Sequence, residues 1–559
     1  MIPVRELARI IGSIDGRGYG AYKELGRLTI RYDRFTLSLT HIQGDPHAPP
    51  SVAEVRLPLS ELGAVAKLVS GETRVPIEDF SYRVLYSVLR SRSRRCGSGN
   101  SCYLGVPRPS PVVVRRSAFE ILGGEVVVRF YVGLPARDRR VSGARARELF
   151  LRVIPSAISE LVERIRGSAR AVEEVCALYK DQEYLREWLY RNGFAAFVAD
   201  GSVLPRESSI SDRPMKGAVP FSSPPSLRRR VELPSGRVVT GMAIPLGVVV
   251  ITGGGYHGKS TLLEAIQRGV YNHIRGDGRE FVVSRRLTVA VAAEDGRIVN
   301  RVDISSFISE LPGAKTTVEF STLDASGSTS MAASISEAVE LGAELILIDE
   351  DNSATNLLFK DEFMEVLIPW DPIKPLSLQA RSFVKSSGAG LIVISSSSSA
   401  FLCLADRVVR MRSFVPEDVT TEVRRALGTC SDKATYRRPR RRLFQGVRGV
   451  RRVRARGFRL VVEYSGGTVL ELDLRRNPRI VEEGQVRLIA GVLRTLMRVG
   501  RGMSCGELKE FVNRELYKKS FAAFFDPVPP DLTWVDGFDV VWVLNRLLNA
   551  EFTQASRSP

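Results

Sequence analysis

The sequence predicts an α/β protein of several domains arranged around one phosphate-binding strand–loop–helix unit, and three observations predict it. Residues 253–260 satisfy the pattern G-x-x-x-x-G-K-[ST], between an apolar run at 245–252 and an amphipathic stretch at 261–270. About ninety residues further on, four apolar residues at 345–348 close on Asp349 and Glu350. A chain of 559 residues with 44% hydrophobic and 26% charged residues is folded, and it is too long for a single core.

The loop itself comprises Gly253, Gly254, Gly255, Tyr256, His257, Gly258, Lys259, Ser260 and Thr261. Glycines at these places let successive backbone N–H groups close around a phosphate, and the helix that follows points its positive end at the same anion. Lys259 is then placed for the β- and γ-phosphates, and Ser260 for Mg²⁺. His257 has two readings, a contact to phosphate or to a partner, and plain loop packing. At 345–350 a buried strand delivers Asp349 to Mg²⁺ and sets Glu350 beside the γ-phosphate, where it orients or deprotonates water.

The formal net charge of +19 points to a polyanionic partner, nucleic acid first among them. Six scattered cysteines show no zinc spacing and point to a reducing cytosol. Charged residues begin at once after Met1, and the longest uncharged stretch, 386–405, contains a run of five serines. No membrane span is expected, and with it a transporter made in one piece is excluded.

From residue 1 to 166 short β-like runs, such as 27–39, alternate with turns and helical pieces. Within this mixed α/β region, glycines at 14–23 interleave with Arg17, Tyr19, Tyr22 and Lys23. That pattern fits base stacking with phosphate contact, and equally a tight structural loop. Helical periodicity follows at 144–167 and 172–192, then a strand and turn at 193–206.

Beyond the phosphate loop a strand at 287–293 runs into Glu294 and Asp295. Ser326, Gly327 and Ser328 precede a helical segment at 331–341; a Ser-Gly turn there reads either as a helix cap or as an anion contact. Residues 391–395 read as a strand ending at Ser396, and 405–409 as the last strand of the unit. From 433 to 462 there is no acidic residue, and Arg437, Arg438, Arg440, Arg441, Arg442, Arg451, Arg452, Arg454 and Arg456 crowd the stretch. It reads as a basic linker, a candidate for phosphate contact by counterion release, or as a merely solvated run. A hairpin at 459–474 and helices at 480–499, 505–519 and 535–548 complete an α-rich C-terminal region.

These residues resemble the predicted ATPases of the ABC class, a soluble group distinct from transporters. The resemblance is carried by 14–23, 41–46, 196–206, 253–263, 269–280, 293–297, 325–330 and 348–356. It implies a family-specific N-terminal domain at 1–166, an ABC-type ATPase domain at 167–425 and a C-terminal region at 426–559. It further implies ATP and Mg²⁺ as ligands, and a homodimer in which Ser326, Gly327 and Ser328 of one subunit engage the γ-phosphate held by the other. Two positions depart from the pattern: Glu294 and Asp295 stand where a glutamine is usual, and Ser396 stands where a histidine is usual. Adenine is commonly stacked on an aromatic ahead of the loop, and Phe221 is the nearest.

The reading that follows is a cytoplasmic ATP hydrolase that clamps or remodels nucleic acid, RNA favoured over DNA. The alternative is a nucleotide-gated protein scaffold with slow hydrolysis. A phosphotransferase is disfavoured because Glu350 suits activation of water.

Overall fold

The computed structural model describes residues 1–26, 28–314 and 316–555. Packing divides the chain into two compact units. The first holds residues 1–180 with 482–488 and 519–534, and the second holds the rest. C-terminal segments therefore belong to both.

The first unit is built on a seven-stranded sheet. Its spine is the antiparallel pair Ser51–Pro58 and Glu125–Val132, in register from Ser51↔Val132 to Pro58↔Glu125. The expected single run at 27–39 is two strands, Thr29–Arg31 and Thr36–His41, paired antiparallel across a turn. The turn is held by Tyr32 stacked on Phe35 with ring centroids 4.5 Å apart; Arg27, at the head of the run, lies outside the described residues. The stacking reading of 14–23 does not survive. Tyr19 and Tyr22 are buried, and their hydroxyls donate to the Leu134 and Pro135 carbonyls at 3.1 and 2.6 Å.

A buried ionic cluster ties this unit together. Arg116 donates to Glu482 at 2.6 and 2.9 Å and also to Asp79, while Ser110 donates to Glu482 from its backbone and its hydroxyl. Burial alone would raise the Glu482 carboxyl, but the Arg116 guanidinium and these hydrogen bonds hold it down to about 2.

The second unit contains the phosphate loop. Its main sheet has strands β1 (Val248–Thr252), β2 (Thr288–Val291), β3 (Leu345–Asp349), β4 (Gly390–Ile394), β5 (Arg407–Arg412) and β6 (Val415–Asp418). The spatial order is β2-β3-β4-β1-β5-β6, all parallel except β6, which returns antiparallel on β5. The near-continuous apolar runs of β1, β3 and β4 suit strands covered on both faces. Helix α1 (Lys259–Arg268) packs Leu262, Ala265 and Ile266 against the core formed with Val249, Ile251, Leu347 and Ile392. Helix α2 (Gly327–Glu340) buries Met331, Ala332 and Ile335. A four-stranded antiparallel sheet, Arg228–Glu232, Val238–Pro245, Phe194–Ala199 and Val282–Ser284, lies beside it in sequence and includes the strand expected near 196.

The stretch read as a basic linker is mostly sheet. Arg442–Val447 pairs with Ala550–Gln554, and Val450–Arg456, Arg459–Tyr464 and Val469–Asp473 form a three-stranded antiparallel sheet. Helix α3 (Gly537–Leu544) and the helix Cys505–Lys519 follow. Disulfides Cys96–Cys102 and Cys403–Cys430 join four of the six cysteines, which the sequence spacing did not suggest.

Because the folded Glu482 carboxyl titrates near 2 and its ordinary value is 4.5, its stabilising contribution is full above about pH 4.5 and is lost as the pH falls toward 2. Glu482→Gln is expected to flatten that acid limb in thermal unfolding and to lower stability at pH 7 by about 3–5 kcal/mol, because Arg116 stays buried with less compensation. An unchanged midpoint at pH 7 would remove the cluster from this role.

Candidate nucleotide site

The loop is shaped by what its neighbours leave room for. A Cβ built on Gly253, whose φ is 134°, would lie 2.3 Å from the Met411 carbonyl oxygen of β5. Gly258, at φ 92°, is pressed by the Phe414 ring. Only glycine satisfies both positions. Lys259 opens α1 and is buried; its ammonium donates to the Gly253 and Gly254 carbonyls at 2.9 and 2.6 Å, inside the curve of the loop. Gly255 has open space around it, and Tyr256 stands fully exposed at 101% with φ 62°. Thr261 follows Ser260 in the first turn of α1. The His257 Nδ1 accepts the Ser413 backbone N–H at 3.1 Å, a contact that fits loop packing.

Strand register brings the other groups to the same edge. Asp349, the last residue of β3, lies opposite Ile394 of β4, which in turn lies opposite Ile251 of β1. The Ser260 hydroxyl consequently donates to Asp349 Oδ2 at 2.9 Å. Both are hard oxygen donors, and together they fit Mg²⁺, which keeps several waters and substrate phosphates in its shell.

Glu350 follows directly and is half-buried. Its carboxylate accepts the backbone N–H groups of Ser396 and Ser397 at 2.7 and 3.3 Å, and the Ser397 hydroxyl as well. Burial pushes this carboxyl up, but the Ser397 hydroxyl and the two N–H groups outweigh it and hold it below the usual range. At the switch position the backbone of Ser396 therefore faces Glu350, and the side-chain contact comes from Ser397. The sequence reading did not single out Ser397; a serine run at the end of the strand beside Asp349 was the available signal.

A second cluster lies around the start of α2. Ser326 caps the helix, its hydroxyl accepting the Thr329 N–H at 3.5 Å. The Ser328 hydroxyl donates to Asn356 Oδ1 at 2.8 Å. A Cβ on Gly327 would come 3.2 Å from Asp295 Oδ1 and 3.6 Å from Ala354 Cβ, so these segments pack closely around the start of α2. The Glu294 side chain meets Ser334 and Arg546. Its carboxylate is bound by Arg546, with Nε to Oε2 at 3.1 Å, and burial is overcome by that guanidinium so that Glu294 titrates near 2. At this position, where a glutamine is usual, the Glu294 side chain makes an internal ion pair. Behind it a cavity of about 370 Å³ is lined by Glu294, Ser334, Glu337, Trp542, Asn545 and Arg546, away from the loop.

The arginine candidates separate into two sets. Arg442 is 1% exposed and gives bidentate hydrogen bonds to Glu340 at 2.6 and 2.9 Å, which removes it as a phosphate contact. Arg438 donates to the Ser386 and Ser387 carbonyls, and Arg440 is half-buried with its N–H on Asp303. Arg437, Arg441, Arg451, Arg452, Arg454 and Arg456 are exposed. On the edge strand Val450–Arg456, residues 452, 454 and 456 share one face, with Arg454 paired to Glu463 at 2.8 Å. Phe221, expected near adenine, is 3% exposed in the core with Leu204 and Leu227 and has no face for a base.

Residues 168–446 match the P-loop domain of the ABC_ATPase family model, and residues 4–164 match the model described as the N-terminal part of ATPases of the ABC class. Over 240 residues the chain is 34% identical to an uncharacterized protein, MJ1628, of Methanocaldococcus jannaschii. That alignment covers 41% of this chain and 52% of the relative, so the chain spans about half the length of the curated relative it matches. With both family models matched in succession along most of its length, the chain belongs to the ATPases of the ABC class.

Proposed function

We propose that the protein hydrolyses ATP, and the observation that carries the reading is the convergence of the loop, the Ser260–Asp349 pair and the serine-held Glu350 at one edge of the sheet. Lys259 leaves the Gly253 and Gly254 carbonyls for the β- and γ-phosphate oxygens, while backbone N–H groups and the α1 N-terminus face the β-phosphate. Ser260 and Asp349 would hold Mg²⁺, which would supply positive charge to the transferring phosphate. Glu350, kept anionic by Ser396 and Ser397, accepts the proton of the attacking water. Gly327 and Ser328 open a helix whose N-terminus, in a homodimer, faces the γ-phosphate held by the partner.

The ligand that this hydrolysis serves is, in our reading, a nucleic acid, RNA before DNA, held by the exposed arginines of 437–456 and favoured by the +19 charge. A second reading has its own support: arginines 438, 442 and 454 are engaged within the chain, and charged residues on an edge strand also guard against unwanted pairing. On that reading the protein is a nucleotide-gated scaffold. No helix among the described residues is long and apolar enough to cross a membrane, and we place the protein in the cytoplasm.

Lys259→Ala is expected to abolish turnover. Glu350→Gln should lower it by about 10²–10⁴-fold while ATP still binds; normal turnover in that variant would refute the assigned base. Ser397→Ala removes a hydrogen bond to the anionic carboxylate, so the acid limb of the pH–rate profile should move to higher pH, and an unmoved limb would separate Ser397 from the chemistry.

For the polymer, ATP turnover is measured with single-stranded RNA, duplex RNA and DNA at two salt concentrations. Stimulation by RNA that fades with salt, and weakens when Arg451, Arg452 and Arg456 are changed to Glu, is the expected result. Turnover indifferent to all three polymers would favour the scaffold.

A further inference from the structure

We infer that the nucleobase is bound by Phe414, which offers its ring as a stacking platform at the tip of the β5–β6 hairpin; the inference rests on the ATP-binding reading above and supplies its base subsite.

The direction of the ligand follows from the order of the sheet. β1, which feeds the loop, lies between β4 and β5. Asp349, Glu350 and the serines all sit on the β3–β4 side. The γ-end of a nucleotide seated in the loop points to that side, and the nucleoside extends the other way, over β5 and β6.

There the hairpin turn consists of two residues only, because Arg412 pairs with Val415. Both turn residues have positive φ, 46° at Ser413 and 70° at Phe414. Hairpin turns of this length favour Asn, Asp or Gly at such positions, and a bulky side chain there is strained. Strain of this kind concentrates at binding sites. Beyond its contact with Gly258, the phenylalanine is 51% exposed and has no aromatic or cationic partner among the described residues.

The turn is also fastened to the phosphate loop. The Ser413 N–H donates to His257 Nδ1 at 3.1 Å, and the Phe414 ring approaches to 3.2 Å from where a Cβ of Gly258 would stand. The ring thus stands at the junction of loop and α1, with Cδ1 toward the loop, on a residue that is half exposed. A π-face without hydrogen-bonding atoms suits a purine by stacking.

The test compares binding of ATP and of inorganic tripolyphosphate, which has the phosphates without the base, to the wild type, Phe414→Ala and Phe414→Trp. Phe414→Ala is expected to weaken ATP by roughly 5- to 150-fold, the range that aromatic stacking of a base commands, and to leave tripolyphosphate unchanged. Phe414→Trp should keep ATP affinity and show indole fluorescence quenched by ATP and not by tripolyphosphate. Equal weakening of both ligands by the alanine variant, or weakening of neither, overturns the assignment. If the wild type binds neither ligand, the nucleotide reading itself fails, and this one with it.

Discussion

Three neighbouring parallel strands, β1, β4 and β3, end at the same level, and the phosphate loop, the Ser260–Asp349 pair and Glu350 with its serines all hang from those three ends. The register Asp349↔Ile394↔Ile251 is fixed by strands buried on both faces. A slip of one residue in β3 would move Asp349 by roughly 3.3 Å along the strand and break its 2.9 Å contact with Ser260. The loop glycines depend on the same sheet, since the close approach of Met411 in β5 to Gly253 and of Phe414 to Gly258 exists only because β5 lies next to β1.

The parts that contiguous residues must build were legible in the sequence. A phosphate loop needs its glycines, lysine and serine in one run, and the flanking strand and helix keep a short period that 248–268 displays plainly. Asp349 and Glu350 were legible for the same reason. What the sequence concealed depends on contacts across long separations. The hold of Ser396 and Ser397 on Glu350 spans 46 and 47 residues. The fate of Arg442 is decided by Glu340, 102 residues away, and nothing in a run of arginines distinguishes the buried one from its exposed neighbours. Phe221 looked suitable by position and is core by packing, while Phe414 lies downstream of the loop and is brought to it only by the hairpin.

The second unit also buries charge alongside α2. Arg297 makes two contacts of 2.7 Å to Glu337, and Arg546, stacked 3.5 Å over Trp542, holds Glu294. Such pairs add little net stability over apolar packing but are costly to break singly. They fix where residues 293–295 lie, and through Gly327 against Asp295 they fix where the α2 N-terminus is presented. A continuous series of contacts thus runs from Arg546 through Glu294 and Asp295 to the Ser326–Ser328 turn.

The measurement that tests the central claim most directly is turnover of ATP by the purified chain in ¹⁸O-labelled water. If Glu350 directs water onto the γ-phosphate, the inorganic phosphate released carries one solvent oxygen. Binding of ATP without labelled phosphate, or transfer of the phosphoryl group to another acceptor, would contradict the account.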